Sequence, residues 1–267
     1  LSTCRPIFPR AWPVAMCVYV QACVALGVSV AQARRRNSWD DRSVVTMRPT
    51  KAELRDRYRR RRQALPPTVV ARCSACVVAQ LRKLPEVAGA SLLAFYVAVA
   101  GEIDLTELIS DFERQGKGIL LPRHNAAAKC YEMVRIHNLA ADTTPGHYGI
   151  LEPESRLTAL PRAALRDRRL AWLVPGVLFD VSGQRLGQGG GFYDRLLSEA
   201  SGPKIGIGYE WQVIDRVPTA PHDVPMDLLV TDADIHRPAD LGAATEDDAS
   251  ARGRKPVPSQ VNRWTED

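Results

Sequence analysis

Val70, Cys73, Val77, Leu81 and Leu84 recur at intervals of three and four, which places them on one face of a helix. Leu105, Leu108, Ile109 and Phe112 repeat the pattern, with Asp104 as a cap and Glu107 at N3. Upstream, Thr50 followed by Glu53 reads as a capping box for a helix running to about Ala64 and stopping before Pro66-Pro67. Phe192 to Ala200 also reads as helix, and Leu165 to Arg169 as the end of a basic helical patch. Between these lie short apolar runs with the composition of buried strands. They are Ser91 to Val99, Gly118 to Pro122, Tyr131 to Ile136, Leu170 to Val174, Ile205 to Tyr209 and Leu228 to Thr231. Strands alternating with helices predict an α/β fold, a largely parallel sheet with helices on both sides.

The two ends depart from this pattern. Ala11 to Ala33 is a run of 23 residues without charge, preceded by Arg5 and Arg10 and followed by Arg34-Arg35-Arg36. Physically that is a signal-like or membrane-anchor segment, although Pro13, Gln21, Gly27 and Gln32 weaken a spanning helix. Met47 stands just ahead of the first periodic element, and residues 1–47 are read as an extension outside the core rather than as a true export signal. Beyond residue 236 the chain is small and polar, and 237–267 is read as a disordered tail. The domain expected between them is 48–236.

A chain of 267 residues with 45% hydrophobic content is long enough for one α/β domain with a proper core. Its charge of +6 is concentrated. Nine basic and two acidic residues lie between Arg48 and Arg72, a surplus of seven that leaves the remainder near minus one. Such a helix suits anionic small molecules or RNA, while the Arg59 to Arg62 run taken alone reads as a solvated face. Cys73-x-x-Cys76 has no second pair and no histidine nearby, so helix packing is a better reading than zinc.

The densest chemistry is Arg185-Leu186-Gly187-Gln188-Gly189-Gly190-Gly191-Phe192-Tyr193-Asp194, with four glycines in five positions. Without Cβ atoms, backbone N–H groups can approach an anion closely and take up positive φ. The loop feeds a helix N-terminus, where phosphate binds, and Asp194 could hold Mg²⁺ against the same phosphates. A P-loop is excluded because no Gly-Lys-Ser/Thr triplet follows, and Phe192 spoils the dinucleotide fingerprint.

This string resembles the signature of the 5-formyltetrahydrofolate cyclo-ligase (5,10-methenyltetrahydrofolate synthetase) family. Four further pieces match in order: Lys51-x-x-x-Arg55, Gly101-Glu102-Ile103-Asp104, Tyr148-Gly149-Ile150-Leu151-Glu152-Pro153 and Pro175-Gly176-Val177-Leu178-Phe179-Asp180. A fifth, His222-Asp223-Val224-Pro225-Met226-Asp227, lies near the end, so the resemblance spans about Lys51 to Asp232. It implies a Rossmann-like three-layer fold like that of sugar-phosphate isomerases and CoA transferases. It also implies ATP- and Mg²⁺-dependent closure of 5-formyltetrahydrofolate to 5,10-methenyltetrahydrofolate.

By that resemblance Lys51 and Arg55 bind the triphosphate with Leu186, Gly187, Gln188, Gly189, Gly190, Gly191, Phe192 and Tyr193. Arg185 and Lys51 are the expected catalytic cations, Arg185 for transition-state charge. Asp194 and Asp223 are the expected Mg²⁺ ligands, with Asp227 a neighbour easily confused with Asp223. Glu102, expected at an edge of the sheet, would accept hydrogen bonds from the pterin ring, and Val97 would pack on it. Glu152 is read as structural or peripheral, and His147 and His222 are given no role. The chain departs from the family at Gln188, where aromatic or basic residues are common, at Gly190, sometimes lysine, and at Phe192, more often tyrosine. A cytoplasmic monomer acting on small molecules, without nucleic acid or stable membrane association, is expected. A non-catalytic relative that binds nucleotide, folate or RNA, or a related ligase with another substrate, is the alternative.

Overall fold

The computed structural model describes residues 49–146 and 149–238. The expectations placed on residues 1–47, on His147 and Tyr148 and on the tail from 239 lie outside these. The chain opens with helix α1 (Lys51–Gln63), whose Thr50 hydroxyl accepts from the Glu53 N–H while Glu53 bonds back to the Thr50 N–H. Helix α2 (Pro67–Leu81) starts on Pro67, a residue pre-set for a first helical turn, and the short α3 (Pro85–Ala88) follows. Leu84 therefore lies beyond the helix whose pattern it extended.

Strand β1 (Leu92–Ala94), helix α4 (Thr106–Arg114) and strand β2 (Gly118–Asn125) form a parallel crossover unit. β2 continues as a hairpin into the antiparallel β3 (Cys130–Ile136). After a short excursion through α5 (Leu139–Asp142) and the pair β4 (Thr143–Pro145) and β5 (Leu151–Pro153), the chain returns as β6 (Ala171–Pro175). A small sheet then collects β7 (Leu178–Asp180), β8 (Arg185–Leu186) and, later, β10 (Val213–Ile214). Helix α6 (Phe192–Leu197), β9 (Lys204–Ile207), β11 (Leu228–Val230) and β12 (Ile235–His236) complete the fold.

The main sheet has seven strands in the order β12-β11-β9-β6-β1-β2-β3, parallel except at its two outer pairs. Alternate side chains enter separate cores: Leu93, Leu173 and Val230 face the side of α2 and α4, whereas Ala94, Trp172 and Leu229 face the side of α6. Helices thus cover both faces of a mostly parallel sheet, the three-layer α/β arrangement expected. Leu105, Leu108, Ile109 and Phe112 are all buried, as their periodicity predicts.

Several local expectations need correction. β1 stops at Ala94 instead of running to Val99; past Phe95, whose N–H still bonds to the Leu120 carbonyl, the chain leaves the sheet and then reverses through left-handed Ala100 and Gly101. β1 is also interior, paired on both sides by β2 and β6, so the segment leading to Glu102 leaves the middle of the sheet and not its edge. Asp104 does not bond at N3; it accepts from the N–H and hydroxyl of Thr106, one residue before the helix cap. Around Leu165 there is only a 3₁₀ turn, Arg162–Arg166. Cys73 packs in the core, but Cys76 is exposed.

Candidate active site

From β1 the chain moves to one side of the sheet, into β2, and from β6 to the other, into β9. In open α/β sheets, that reversal leaves a crevice at the carboxyl ends of the two strands. A cleft of about 1060 Å³ opens there, lined by Tyr96 and Val97 after β1 and by Pro175 and Gly176 at the end of β6. Every site residue named from the sequence lines this one cleft: Lys51, Arg55, Val97, Glu102, the whole of 185–194, and Asp223.

The small sheet sets the geometry. Buried Asp180 accepts from the N–H groups of Ser182, Gln184 and Val217, fixing the turn that returns β8 beside β7 and aims Arg185 into the cleft. α1 docks on this sheet through Leu54, which packs with Leu178, Leu186 and Val217. Lys51, Arg55, Arg59 and Arg62 fall four, four and three residues apart, so docking turns all four toward the cleft.

The glycine loop leans on that helix face. Arg55 Nε donates to the Gly187 carbonyl at 2.9 Å, Arg59 donates to the carbonyl and side chain of Gln188, and Arg195 donates to the Gly190 carbonyl. With those carbonyls held by arginines, the N–H groups of residues 187–191 donate to no protein acceptor among the described residues. Gly189 and Gly191 take φ of +104° and +64°, which side chains other than glycine rarely adopt. Arg55 and Arg59 have no carboxylate within ion-pair distance among the described residues, so their charge is available to an anion.

The other cations are paired. Lys51 Nζ lies 2.6 Å from Asp223 Oδ2, and Arg185 Nη2 lies 2.9 Å from Asp194 Oδ1. Burial works against Asp223, but its bonds to Lys51 and the Ala220 N–H hold its carboxyl below the usual range. Arg185 is buried and carries an Nε without a partner among the described residues. Phe192 meets Tyr131 edge-on at 4.5 Å, giving the cleft an aromatic wall. Glu152 also lines it, with Oε2 accepting from the His124 N–H at 3.2 Å.

At the inner end, Glu102 is 8% exposed, and burial pushes its carboxyl up despite the Arg62 guanidinium 2.9 Å away. Reading Arg59 to Arg62 as a solvated face is therefore wrong for two of the four. Arg62 is 2% exposed and Arg59 holds the loop, while Arg60 pairs with Asp56 at the surface and Arg61 lies over the Trp211 ring. Arg59, Arg62 and Tyr131 went unassigned from the sequence. The spacing of the two arginines from Lys51 and Arg55 is the signal that could have found them.

Fold and cleft together define an α/β protein with a cation-lined cleft at the carboxyl ends of parallel strands. A sequence model of the 5-formyltetrahydrofolate cyclo-ligase family matches residues 47–232, and the chain belongs to that family of ligases. The 5-formyltetrahydrofolate cyclo-ligase of Escherichia coli strain K12 is 31% identical over 182 residues, 66% of this chain and 97% of that one. The protein of that name from Haemophilus influenzae is 33% identical over 143 residues, 52% of this chain and 74% of that one. The solution structure of Aquifex aeolicus 5,10-methenyltetrahydrofolate synthetase aligns with 80% of this chain and 99% of its own, at a TM-score of 0.61 and 31% identity.

Proposed function

We propose that this cleft converts 5-formyltetrahydrofolate to 5,10-methenyltetrahydrofolate, consuming ATP in the presence of Mg²⁺ and releasing ADP and phosphate. One observation carries the reading: segments as distant as Lys51, Glu102, Arg185 and Asp223, each named from a separate family-like motif, converge on a single cleft. The formyl oxygen attacks the γ-phosphorus and ADP leaves. The N10 lone pair then attacks the activated carbon, N10 gives up its proton, and the C–O bond breaks to release phosphate.

In this scheme Lys51, Arg55 and Arg59 hold triphosphate oxygens, with the N–H groups of 187–191 as further donors. Arg185, buried at the base of the loop, faces the charge that develops in transfer, where a fixed cation in a water-poor site acts most strongly. Glu102 accepts from the pterin, Val97 packs on it, and the Phe192–Tyr131 wall keeps water from the phosphorylated intermediate.

The residues present fit Mg²⁺. Asp194 Oδ2 and Asp223 Oδ1 accept no hydrogen bond among the described residues, and hard carboxylate oxygens beside phosphate are the usual donor set. When bound there, the ion would neutralise charge on the phosphate oxygens. The enzyme would work as a cytoplasmic monomer on small molecules, in a compartment holding both ATP and reduced folate.

The test is the near-ultraviolet absorbance of the methenyl product, followed on purified protein with 5-formyltetrahydrofolate, ATP and Mg²⁺. A rise that needs ATP and is lost in Asp194→Ala is expected. A flat trace with ATP binding intact would overturn the reading and point to another substrate.

A further inference from the structure

We propose that Arg62 is the positioning residue for Glu102: from the last turn of α1 it fixes the carboxylate that receives the folate ring, and ties that end of the cleft to the helix that carries the phosphate-binding cations. The inference rests on the function proposed above and adds a residue with no place in the motif that suggested it.

The Arg62 guanidinium ties α1 to two other segments. Nη1 lies 2.9 Å from Glu102 Oε1 and 3.4 Å from the Gly176 carbonyl at the end of β6, and Nε donates to the Ala100 carbonyl at 3.2 Å. The loop it grips is closely packed on the helix. Gly101 sits at φ +77°, and a Cβ there would lie 2.6 Å from the Arg62 carbonyl oxygen. Tyr209 Oη donates to the Gly101 carbonyl and Tyr96 Oη to that of Ile103, so the loop is held from the other side as well.

Glu102 has few other means of orientation. Oε2 accepts from the Val99 N–H at 3.3 Å, and Oε1 receives a long 3.4 Å contact from Gln188 Nε2. Gln188 is itself held by Arg59, so the glycine loop also reaches Glu102. The other titratable groups facing the carboxylate are the hydroxyls of Tyr96, Tyr193 and Tyr209, all pushed up chiefly by burial and neutral near pH 7. Arg62 is therefore the cation that answers the buried acid. A bidentate-capable, permanently charged fork can both aim a carboxylate and keep it ionised, which the lysine ammonium does less well.

The experiment compares wild type, Arg62→Met, Arg62→Lys and the double variant Arg62→Met with Glu102→Gln. Steady-state constants are taken from about pH 6 to 9, and melting is followed by circular dichroism. In Arg62→Met, kcat/KM for 5-formyltetrahydrofolate should fall about 10- to 100-fold while KM for ATP stays within about threefold. Its acid limb should move up by about one pH unit or more, because burial without the counter-charge favours the protonated acid. Arg62→Lys should recover part of both. If Arg62→Met does not fold, the double variant should melt near wild type, since it leaves no unpaired buried charge, and should bind ATP but not folate. An inactive wild type would instead be a failure of the proposed function. The inference is overturned by a folded Arg62 variant with wild-type folate KM and pH profile, by equal losses for ATP and folate, or by failure of both single and double variants to fold.

Discussion

At the open end of the cleft the Lys51 side chain is 27% exposed, and Arg55 and Arg59 lend their hydrogen bonds to a glycine loop whose own N–H groups face no protein acceptor among the described residues. At the inner end, one turn of the same helix further on, Arg62 and Glu102 are almost wholly enclosed and matched one to one. The outer region carries surplus positive charge near water, as the multiply charged ligand of the proposed reading requires. The inner region carries none in excess, and its carboxylate is held in place by Arg62; in the proposed reading it is fixed before a neutral ring arrives. Depth along one helix face, not residue type, separates the two jobs. A basic surface can wait for its ligand at little cost, whereas a buried acid needs a permanent partner.

The largest test of this division is Arg185→Met. It should lower kcat/KM by about 10³-fold, chiefly in kcat, as expected when a buried cation serves the transition state. A loss confined to the KM for folate, measured in the same steady-state assays, would break the division. Next come two glycines, one at each end. Gly101→Ala puts a Cβ against the backbone of Arg62 at 2.6 Å and positive φ, and should cost about 3 kcal/mol, or about 6–12 °C in Tm. Gly189→Ala also sits at positive φ but meets only the Arg55 side chain, at 3.5 Å, so calorimetry should show roughly half that loss.

Lys51→Met probes the outer pairing through pH. The Asp223 carboxyl lies lower in the folded chain than in the unfolded one, so its pairing stabilises above the unfolded pKa of about 4 and is lost as pH falls through the lower folded value. The difference in unfolding free energy between wild type and variant should be about 1 kcal/mol at pH 7 and should vanish in the acid range, as read by denaturant titration. The smallest effect belongs to Arg60→Gln, which removes an exposed pair with Asp56. Stability should change by less than about 0.5 kcal/mol and activity by less than about twofold.

What the sequence made legible was local. Thr50 and Glu53 are three residues apart and form their capping box without help from the rest of the chain. The glycines of 187–191 announce a loop that needs positive φ, and two of them adopt it. Unbroken apolar runs at β1, β6 and β11 marked a sheet buried on both faces. What could not be read depended on partners far away. Nothing in Arg59-Arg60-Arg61-Arg62 tells which guanidinium is enclosed, because Glu102 and Gly176 supply that answer. The small sheet of β7, β8 and β10 stayed hidden because its strands are two or three residues long, too short for periodicity. The reversal at Ala100 and Gly101 is fixed by packing on α1, which composition does not show, so nothing in the run to Val99 told that the strand is short.

The bonds that seat α1 on the cleft join residues far apart along the chain: 132 positions separate Arg55 from Gly187, and 172 separate Lys51 from Asp223. Loops of that length close late, after local helices and hairpins have formed. On a ribosome, α1 emerges before the sheet it docks on and has no complete docking partner until Asp223 has been made. Its arginine-rich face then stays in water through most of synthesis, where charge rather than an apolar stripe keeps it from sticking to other nascent chains. β11 and β12 follow the His222-Asp223 segment, so the main sheet and the seat of α1 are completed by the same last stretch of the described residues.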